Sequence, residues 1–168
     1  MLDYFINQAS GRGVMNNKSL LLQEIEDYER FLFKVNRLIK RSQFSREKLY
    51  LLLLNFFPEP AVKLHSDSIV NLLVNSFRPL DPICKFSDNT YAVAVSSTTS
   101  IPVEIFESRL MNQKEKLLLK DLNFLLSFAI SPYESTNFLN LLKIAHSRMV
   151  EKKKELQEKE EMEIPETA

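Results

Sequence analysis

The sequence predicts an α/β (α+β) domain with a split βαββαβ core, a mainly antiparallel sheet and helices packed around it. Segments with helical periodicity alternate with short apolar runs, in the order helix, strand, helix, two hairpin strands, helix, strand, helix. The inner six elements give the β-α-β-β-α-β order, in which two helices cover one face of the sheet. With 45% hydrophobic and 26% charged residues in 168, the chain can form one domain with a buried core.

The beginning of the chain predicts a lead-in, a helix and a strand. Residues 1–18 contain both glycines and have no sustained period, so we expect an irregular lead-in. Across residues 19–41 the apolar positions recur at helical spacing, which predicts a long amphipathic helix. The continuous apolar run at 48–57, closed by Pro58, predicts a central strand that is buried on both faces.

A second helix and a hairpin follow. Ser66 and Asp67 can cap the helix, and Pro79 stops it from continuing. Residues 83–95 have alternating apolar positions on both sides of the polar quartet 87–90. This pattern is typical of two antiparallel strands joined by a tight turn.

The last part of the chain predicts a helix, a strand and a final helix. Pro102 suits the first turn of the third helix, and residues 122–130 form another apolar strand. Ser135 or Thr136 can cap the final helix, whose end has few apolar side chains and therefore frays or pairs with another chain. The predicted organisation is a lead-in at 1–18, a domain at 19–154 and a charged helix end or tail at 155–168.

Charge and cysteine content exclude several kinds of site. Lysine plus arginine and aspartate plus glutamate number 22 each, so the chain has no net field for nucleic acid or an anionic membrane. Cys84 is the only cysteine and only two histidines accompany it, so neither a disulfide nor a zinc site is expected. No signal sequence or apolar run of roughly 20 residues is present. We expect a cytoplasmic domain without nucleic-acid binding or membrane insertion.

Short motifs occur in the order, and on the elements, of a known family. Residues 78–92, RPLDPICKFSDNTYA, contain R-x-x-D and then, after five residues, SDNTYA at the place of G-G-(D/E)-E-F-A, and this spacing matches without a gap. Residues 13–20 resemble G-L-x-N-R-R and a following apolar residue, 106–109 resemble A-E-R-(I/L), 126–131 resemble v-S-I-G-v-A, and 141–146 resemble L-L-x-x-A-D. Together these motifs resemble the GGDEF domain, the nucleotide-cyclase-like fold of bacterial diguanylate cyclases, which join two GTP molecules into cyclic di-GMP.

The resemblance implies that the catalytic groups are missing. In active members two glycines let the hairpin backbone approach phosphates, and acidic residues at the hairpin and the first strand bind Mg²⁺. The matching positions here are Asn55, Ser87, Asp88, Asn89, Thr90 and Tyr91. Because these groups are mostly neutral or bulkier, we expect no enzymatic activity and no cofactor. Glu59 is the alternative metal ligand that would leave residual activity.

The resemblance also implies a second, non-catalytic site, and the residues of that site are present in this chain. In many members of the family the R-x-x-D before the hairpin binds an inhibitory cyclic di-GMP dimer, and an arginine on the following helix completes the site. Arg78, Asp81 and Arg109 match these positions. Guanidinium donates two parallel hydrogen bonds to phosphate or to a guanine edge, so the residue types suit the ligand. The alternative is a surface salt bridge between Arg78 and Asp81 worth at most about 1 kcal/mol, with Arg109 solvated.

Two hypotheses about function follow. In the first, the chain is a catalytically inactive GGDEF-like regulatory domain that binds cyclic di-GMP through Arg78, Asp81 and Arg109 and signals to a protein partner. In the second, it is a structural protein–protein interaction module without nucleotide affinity, and its terminal helices dock a partner or a second copy. The two hypotheses differ in whether nucleotide binding can be measured.

Overall fold

The structure, a computed structural model, describes residues 25–58 and 65–162, which contain four helices and four strands in the predicted order. The elements are α1 (Tyr28–Phe44), β1 (Lys48–Pro58), α2 (Ser66–Ser76), β2 (Ile83–Lys85), β3 (Thr90–Ser97), α3 (Val103–Lys116), β4 (Leu122–Ser131) and α4 (Phe138–Met162). The predicted lead-in at 1–18 lies outside the described residues.

The four strands form one antiparallel sheet with the order β2-β3-β1-β4. β1 lies between β3 and β4 and pairs antiparallel with both, while β2 pairs antiparallel with β3. Since α2 connects β1 to β2 and β3 lies between those two strands, the sheet has the split βαβ arrangement predicted from the element order. The predicted hairpin joins β2 to β3, and the Phe86 N–H donates to the Thr90 carbonyl oxygen at 2.8 Å.

Helices cover both faces of the sheet. α2 and α3, the helices inside the βαββαβ core, pack on one face around Leu72 and Phe106. α1 and α4, the leading and trailing helices, pack on the other face around Phe31 and Leu141. β1 contributes alternate residues to the two hydrophobic cores and is therefore buried on both faces, as its continuous apolar run predicted.

The start of α1 differs from the prediction. Residues 19–24 lie outside the described part, but 25–27 are not helical and the helix begins at Tyr28. The Asp27 carboxylate caps it by accepting from the Arg30 N–H at 2.8 Å. Just before the cap, the Glu26 N–H donates to the Ile83 carbonyl oxygen of β2 at 2.8 Å. A tertiary contact with the sheet edge therefore replaces helix that the apolar spacing had predicted, and α1 extends to Phe44 instead of ending near residue 41.

The predicted starts of α2 and α3 are also shifted. His65 holds the cap position of α2 without a side-chain cap hydrogen bond, so Ser66 and Asp67 lie in the first turn instead of capping it. Pro102 holds the cap position of α3 with extended backbone and precedes the first turn. Both shifts are one or two residues, which is the usual variation of helix ends.

The cap of α4 is Asn137, not Ser135 or Thr136. The Asn137 side-chain oxygen accepts from the Asn140 N–H at 3.1 Å, while the Ser135 hydroxyl accepts from the Asn137 N–H at 3.1 Å. Ser135 thus shapes the turn before the helix. Three adjacent residues with capping side chains do not reveal in advance which of them will form the cap.

The end of α4 continues as helix through residues 155–162, the part predicted as a charged helix end or tail. After Met149 the side chains are exposed or half-buried. In the described ranges no helix combines the length and the apolar character that crossing a bilayer requires.

Candidate functional site

The end of β1 and the tip of the hairpin meet at one point of the sheet. Asn55 stands directly opposite Thr90 in the β1–β3 register. The Asn55 Nδ2 donates to Thr90 Oγ1 at 3.0 Å and to the Asn89 carbonyl oxygen at 3.5 Å. The Phe56 N–H donates to the same carbonyl oxygen at 2.7 Å. Three residues that the family resemblance assigned to the degenerate site are therefore in contact, through neutral amide and hydroxyl groups.

The turn itself is held by the Asn89 side chain. Asn89 Oδ1 accepts from Ser87 Oγ at 3.2 Å and from Thr90 Oγ1 at 3.4 Å. Asp88 extends into solvent, and its carboxylate lies 3.4 Å from Lys85 Nζ. Within the described ranges Leu118 is the one non-glycine residue with positive φ. Ser87 and Asp88 therefore have negative φ, and this turn does not require glycine at either position.

Tyr91, at the phenylalanine position of the hairpin motif, belongs to the core. Its side chain is fully buried, and its ring meets the Phe56 ring edge-on at a centroid distance of 5.9 Å. The Tyr91 hydroxyl lies 3.4 Å from the Ser66 hydroxyl at the start of α2. Tyr91 thus packs the start of β3 against β1 and α2, and its buried side chain is not part of an exposed site.

The groups at this point do not fit a magnesium ion. Mg²⁺ prefers anionic oxygen ligands in octahedral geometry. Asn55, Asn89 and Thr90 offer only neutral atoms, and the Asn55 amide hydrogens point at the oxygens that would have to face a cation. Among the described residues no group of three or more histidines, cysteines or carboxylates is arranged to hold a metal. Glu59, the alternative ligand, lies outside the described residues.

Cys84 is not available as a nucleophile. It is 1% exposed on β2. Burial raises the pKa of its thiol to about 12, and the charges of Asp27 and Glu26 add to the increase. Since the thiolate is the reactive form, this side chain stays unreactive near neutral pH.

Arg78 and Asp81 form a closed clasp between α2 and β2. Asp81 Oδ2 accepts from the Arg78 backbone N–H at 2.9 Å and from Arg78 Nε at 3.2 Å, and Asp81 Oδ1 accepts from Arg78 Nη2 at 3.0 Å. Nη2 also donates to the Ser96 carbonyl oxygen at the end of β3, at 2.8 Å. The Asp81 side chain is 4% exposed, whereas that of Arg78 is 59% exposed. A buried carboxylate therefore fixes the plane of a guanidinium that faces solvent.

Arg109 lies on the neighbouring helix. It is exposed on α3, one turn after Phe106. The Phe106 ring packs 6.5 Å from the ring of Phe77, the residue before Arg78. The structure thus joins Arg78 to Asp81 directly. Arg109 lies on α3, the helix that packs beside the residue preceding Arg78. Between the two clasp residues, Leu80 is 91% exposed.

Sequence reasoning missed two parts of this region. The Ser96 carbonyl oxygen, which accepts from Arg78, has no sequence signature because every residue carries a carbonyl group. The contact of Asn55 with Thr90 was also missed, although it follows from the strand register. No turn joins β1 to β3, so the chain itself does not reveal which residues of these two strands stand opposite each other.

No family model and no curated protein sequence matches this chain. Solved structures do. The GGDEF domain of YfiN (or TpbB) from Pseudomonas aeruginosa matches with a TM-score of 0.59 at 14% identity, over 80% of this chain and 93% of that one. The GGDEF domain of DgcB from Caulobacter crescentus, in complex with c-di-GMP, matches with 0.57 at 9% identity, over 83% and 94%. A DGC protein from Thermotoga maritima matches with 0.51 at 16% identity, over 70% and 92%. The chain therefore has the GGDEF-domain fold of diguanylate cyclases.

Proposed function

We propose that this chain is a catalytically inactive GGDEF-like regulatory domain of the cytoplasm. It binds cyclic di-GMP through Arg78 and Arg109, with Asp81 holding Arg78 in position, and it passes the signal to a protein partner. The observation that carries the proposal is the Arg78–Asp81 clasp, which keeps a guanidinium in a fixed plane at the surface.

The geometry of Arg78 supports ligand binding. Its Nε and Nη2 are used by Asp81 and Ser96, while Nη1 has no hydrogen-bond acceptor in the part of the chain that the structure describes. Nη1 can therefore donate to a phosphate or to a guanine edge without breaking the clasp. The DgcB domain of this fold was solved with c-di-GMP bound, which makes this dinucleotide the ligand to test.

The hairpin tip supports inactivity. Phosphoryl transfer between nucleotides needs metal ions that neutralise the phosphates and fix their positions. The Asn55–Thr90–Asn89 network provides neutral groups that already satisfy one another. We therefore expect no synthesis of cyclic di-GMP when the purified chain is incubated with GTP and Mg²⁺.

Isothermal titration with cyclic di-GMP tests the receptor function. We expect binding in the micromolar range, weakened about tenfold or more in Arg78→Ala and in Arg109→Ala because each removes charge-assisted hydrogen bonds. Arg46→Ala, which removes an exposed arginine that follows α1, is the matched control and leaves the affinity unchanged. A parent chain that gives no heat of binding contradicts the receptor function.

The rival function, a structural interaction module without nucleotide affinity, is favoured by the completeness of the clasp. Asp81 and the Ser96 carbonyl give Arg78 a structural task, since together they tie the segment between α2 and β2 to the end of β3. On this hypothesis Arg78→Ala lowers the free energy of unfolding and changes nothing else. Titration and urea unfolding of the same variant therefore separate the two functions.

A further inference from the structure

The solvent face of α1 carries a stripe of basic and aromatic side chains. We call it the α1 stripe: Arg30, Phe33, Arg37, Lys40 and Phe44. These residues follow one another at steps of three and four, so they form one line on the helix opposite the buried residues. All five are exposed, and the line is about 21 Å long at 1.5 Å per residue.

The α1 stripe has no partner among the described residues. Lys34 and Arg41, which flank it, pair with Glu26 and Glu47. Arg30, Arg37 and Lys40 make no ion pair in this part of the chain, and Arg37 lies over the Phe33 ring at 5.8 Å. Exposed aromatic side chains beside unpaired arginines are typical of interfaces.

Phe33 and Phe44 give the α1 stripe its apolar component. Phe33 is 64% exposed and Phe44 is 81% exposed. Leaving two aromatic rings in water forgoes much of the free energy that burying them would contribute. The stripe therefore offers both charge and apolar surface to whatever covers it.

The end of α4 carries a complementary line, which we call the α4 stripe: Glu151, Glu155, Glu158 and Met162. Its members also follow at steps of three and four and are exposed, and Met162 is 79% exposed. No ion pair within the described ranges involves its glutamates. The three acidic groups equal the three basic groups of the α1 stripe in number, and Glu155 and Glu158 are three residues apart, as Arg37 and Lys40 are.

We propose that the α1 stripe and the α4 stripe are the two halves of one interface between two copies of this chain. α1 of each copy lies against the end of α4 of the other, so that one twofold axis uses both contacts at once. The exposed Phe33 or Phe44 covers Met162 of the other copy, and Arg37 and Lys40 face its glutamates. This interface does not depend on cyclic di-GMP binding.

The charges of the chain favour a second copy over other occupants. A nucleic acid or an anionic membrane would attract the α1 stripe but repel the α4 stripe, and the chain has a net charge of zero. A second copy neutralises both stripes. The same chain cannot do so within itself here, because the α4 stripe is exposed along its length.

Sedimentation of the full chain tests the proposal. We expect a reversible dimer at about 50 mM salt whose dissociation constant rises about tenfold or more at about 0.5 M, because salt screens exposed charges. Two variants reverse one stripe each: Arg37→Glu with Lys40→Glu, and Glu155→Lys with Glu158→Lys. Each variant alone is monomeric since like charges then meet in both contacts, whereas an equal mixture of the two dimerises again.

A matched control changes the net charge elsewhere. Lys116→Glu with Lys120→Glu alters two exposed lysines at the end of α3, and this variant dimerises like the parent. The proposal is wrong if the parent stays monomeric at low salt or if the mixture of the two stripe variants stays monomeric. It is equally wrong if the parent is a monomer that binds phosphatidylserine vesicles through Arg37 and Lys40. Far-UV circular dichroism verifies that each variant is folded.

Discussion

Asn55 is the residue on which the hairpin tip depends. Its amide donates to the Thr90 hydroxyl, which in turn donates to the Asn89 side-chain oxygen. The three side chains thus form a chain of hydrogen bonds in which Asn55 is the first donor. Asn55 is 6% exposed and Thr90 is 9% exposed, so water cannot replace a lost partner. A carboxylate at position 55 could not donate, and it would face the Asn89 carbonyl oxygen.

Asn55→Asp should therefore destabilise the chain. We expect the free energy of unfolding at pH 7 to fall by about 2 kcal/mol, because a buried charge replaces a donor. Urea unfolding with and without Mg²⁺ measures the effect, and Mg²⁺ should not restore the loss. The fully exposed Asp88, replaced by Asn, is the control and should change stability by less than about 0.5 kcal/mol. Recovery of Asn55→Asp by Mg²⁺ would mean that the tip can hold a metal ion.

Cys84 should make stability fall in alkaline solution. Burial raises the pKa of its thiol from 9.0 to about 12, so the folded chain keeps the neutral form while the unfolded chain ionises. The stabilisation is complete below pH 9 and is lost as the pH rises from there towards 12, at no more than about 1.4 kcal/mol per pH unit. Burial and the charge of Cys84 also raise the pKa of Tyr28, which acts in the same direction.

Urea unfolding of the parent and of Cys84→Ala, in steps from neutral to alkaline pH, measures this dependence. The variant is less stable at neutral pH because a buried side chain is shortened, but its stability should decline less steeply above pH 9. Identical slopes for the two proteins would mean that the thiol ionises as readily in the folded chain as in the unfolded one.

Leu118 adopts a backbone conformation that is unfavourable for its side chain. Its φ is 58°, and it ends α3 in a Schellman motif in which the Leu118 N–H donates to the Glu115 carbonyl and the Leu119 N–H to the Lys114 carbonyl. Since Leu118 is 79% exposed, little burial is lost on truncation. Leu118→Gly should raise the free energy of unfolding by about 1 kcal/mol.

Thermal or urea unfolding measures the change at position 118, with Leu118→Ala as the control. Alanine has the same Cβ as leucine and should give no gain. An equal gain from both substitutions would assign the effect to the removal of an exposed apolar side chain and not to the backbone.

At the scale of the elements, α4 protects the free edge of β4. Arg148 Nη1 donates to the Phe128 carbonyl oxygen at 2.7 Å, and Lys152 Nζ donates to the Leu126 carbonyl oxygen at 2.7 Å. The Ile130 N–H donates to Glu134 at 2.8 Å, and Arg148 also donates to Glu134 at 3.1 Å. Backbone groups that could pair with another strand are thus occupied by charged side chains.

This edge network should be sensitive to acid. Burial would raise the pKa of the Glu134 carboxyl, but the hydrogen bonds from Arg148 and from the Ile130 N–H, with the charge of Arg148, outweigh it and lower the pKa. A lowered folded pKa contributes stability that is present above 4.5 and is lost as the pH falls further. Glu134→Gln should cost about 1–2 kcal/mol at pH 7 and should flatten the acid decline.

Urea unfolding at pH 7 and at several acid pH values tests the Glu134 prediction. The exposed Glu160, replaced by Gln, is the control and should follow the parent at every pH. If Glu134→Gln has the same acid slope as the parent, the network does not titrate through Glu134.

The elements were predictable where the signal is local. The apolar run of β1 and the alternation around the hairpin depend on neighbouring residues, and so β1, β2 and β3 were all found. The family resemblance grouped Asn55, Asn89 and Thr90 in one site, and the structure brings the three residues into contact without the resemblance having indicated which atoms meet. The start of α1 was not predictable, because Ile25 keeps the helical spacing of apolar residues and only the contact of the Glu26 backbone with Ile83, distant in sequence, takes this segment out of the helix.

At the scale of the whole molecule, one sheet separates two hydrophobic cores. Leu51 belongs to the core under α1 and α4, and Leu52, its neighbour on β1, belongs to the core under α2 and α3. Both side chains are fully buried. Losing either core would expose one face of the central strand, so neither layer of helices can leave while the sheet stays intact. We therefore expect the described part of the chain to unfold as one cooperative unit.

Leu51→Ala and Leu52→Ala test this coupling as a matched pair on opposite faces of β1. Each should lower the free energy of unfolding by about 2–5 kcal/mol, since each leaves a cavity of similar size in a packed core. Far-UV circular dichroism and tyrosine fluorescence should report the same urea midpoint for each variant, with the slope of the parent. If the two signals separate in one variant only, the core on that face can melt alone. The shared strand would then not couple the layers, because its remaining face would be enough to hold the sheet together.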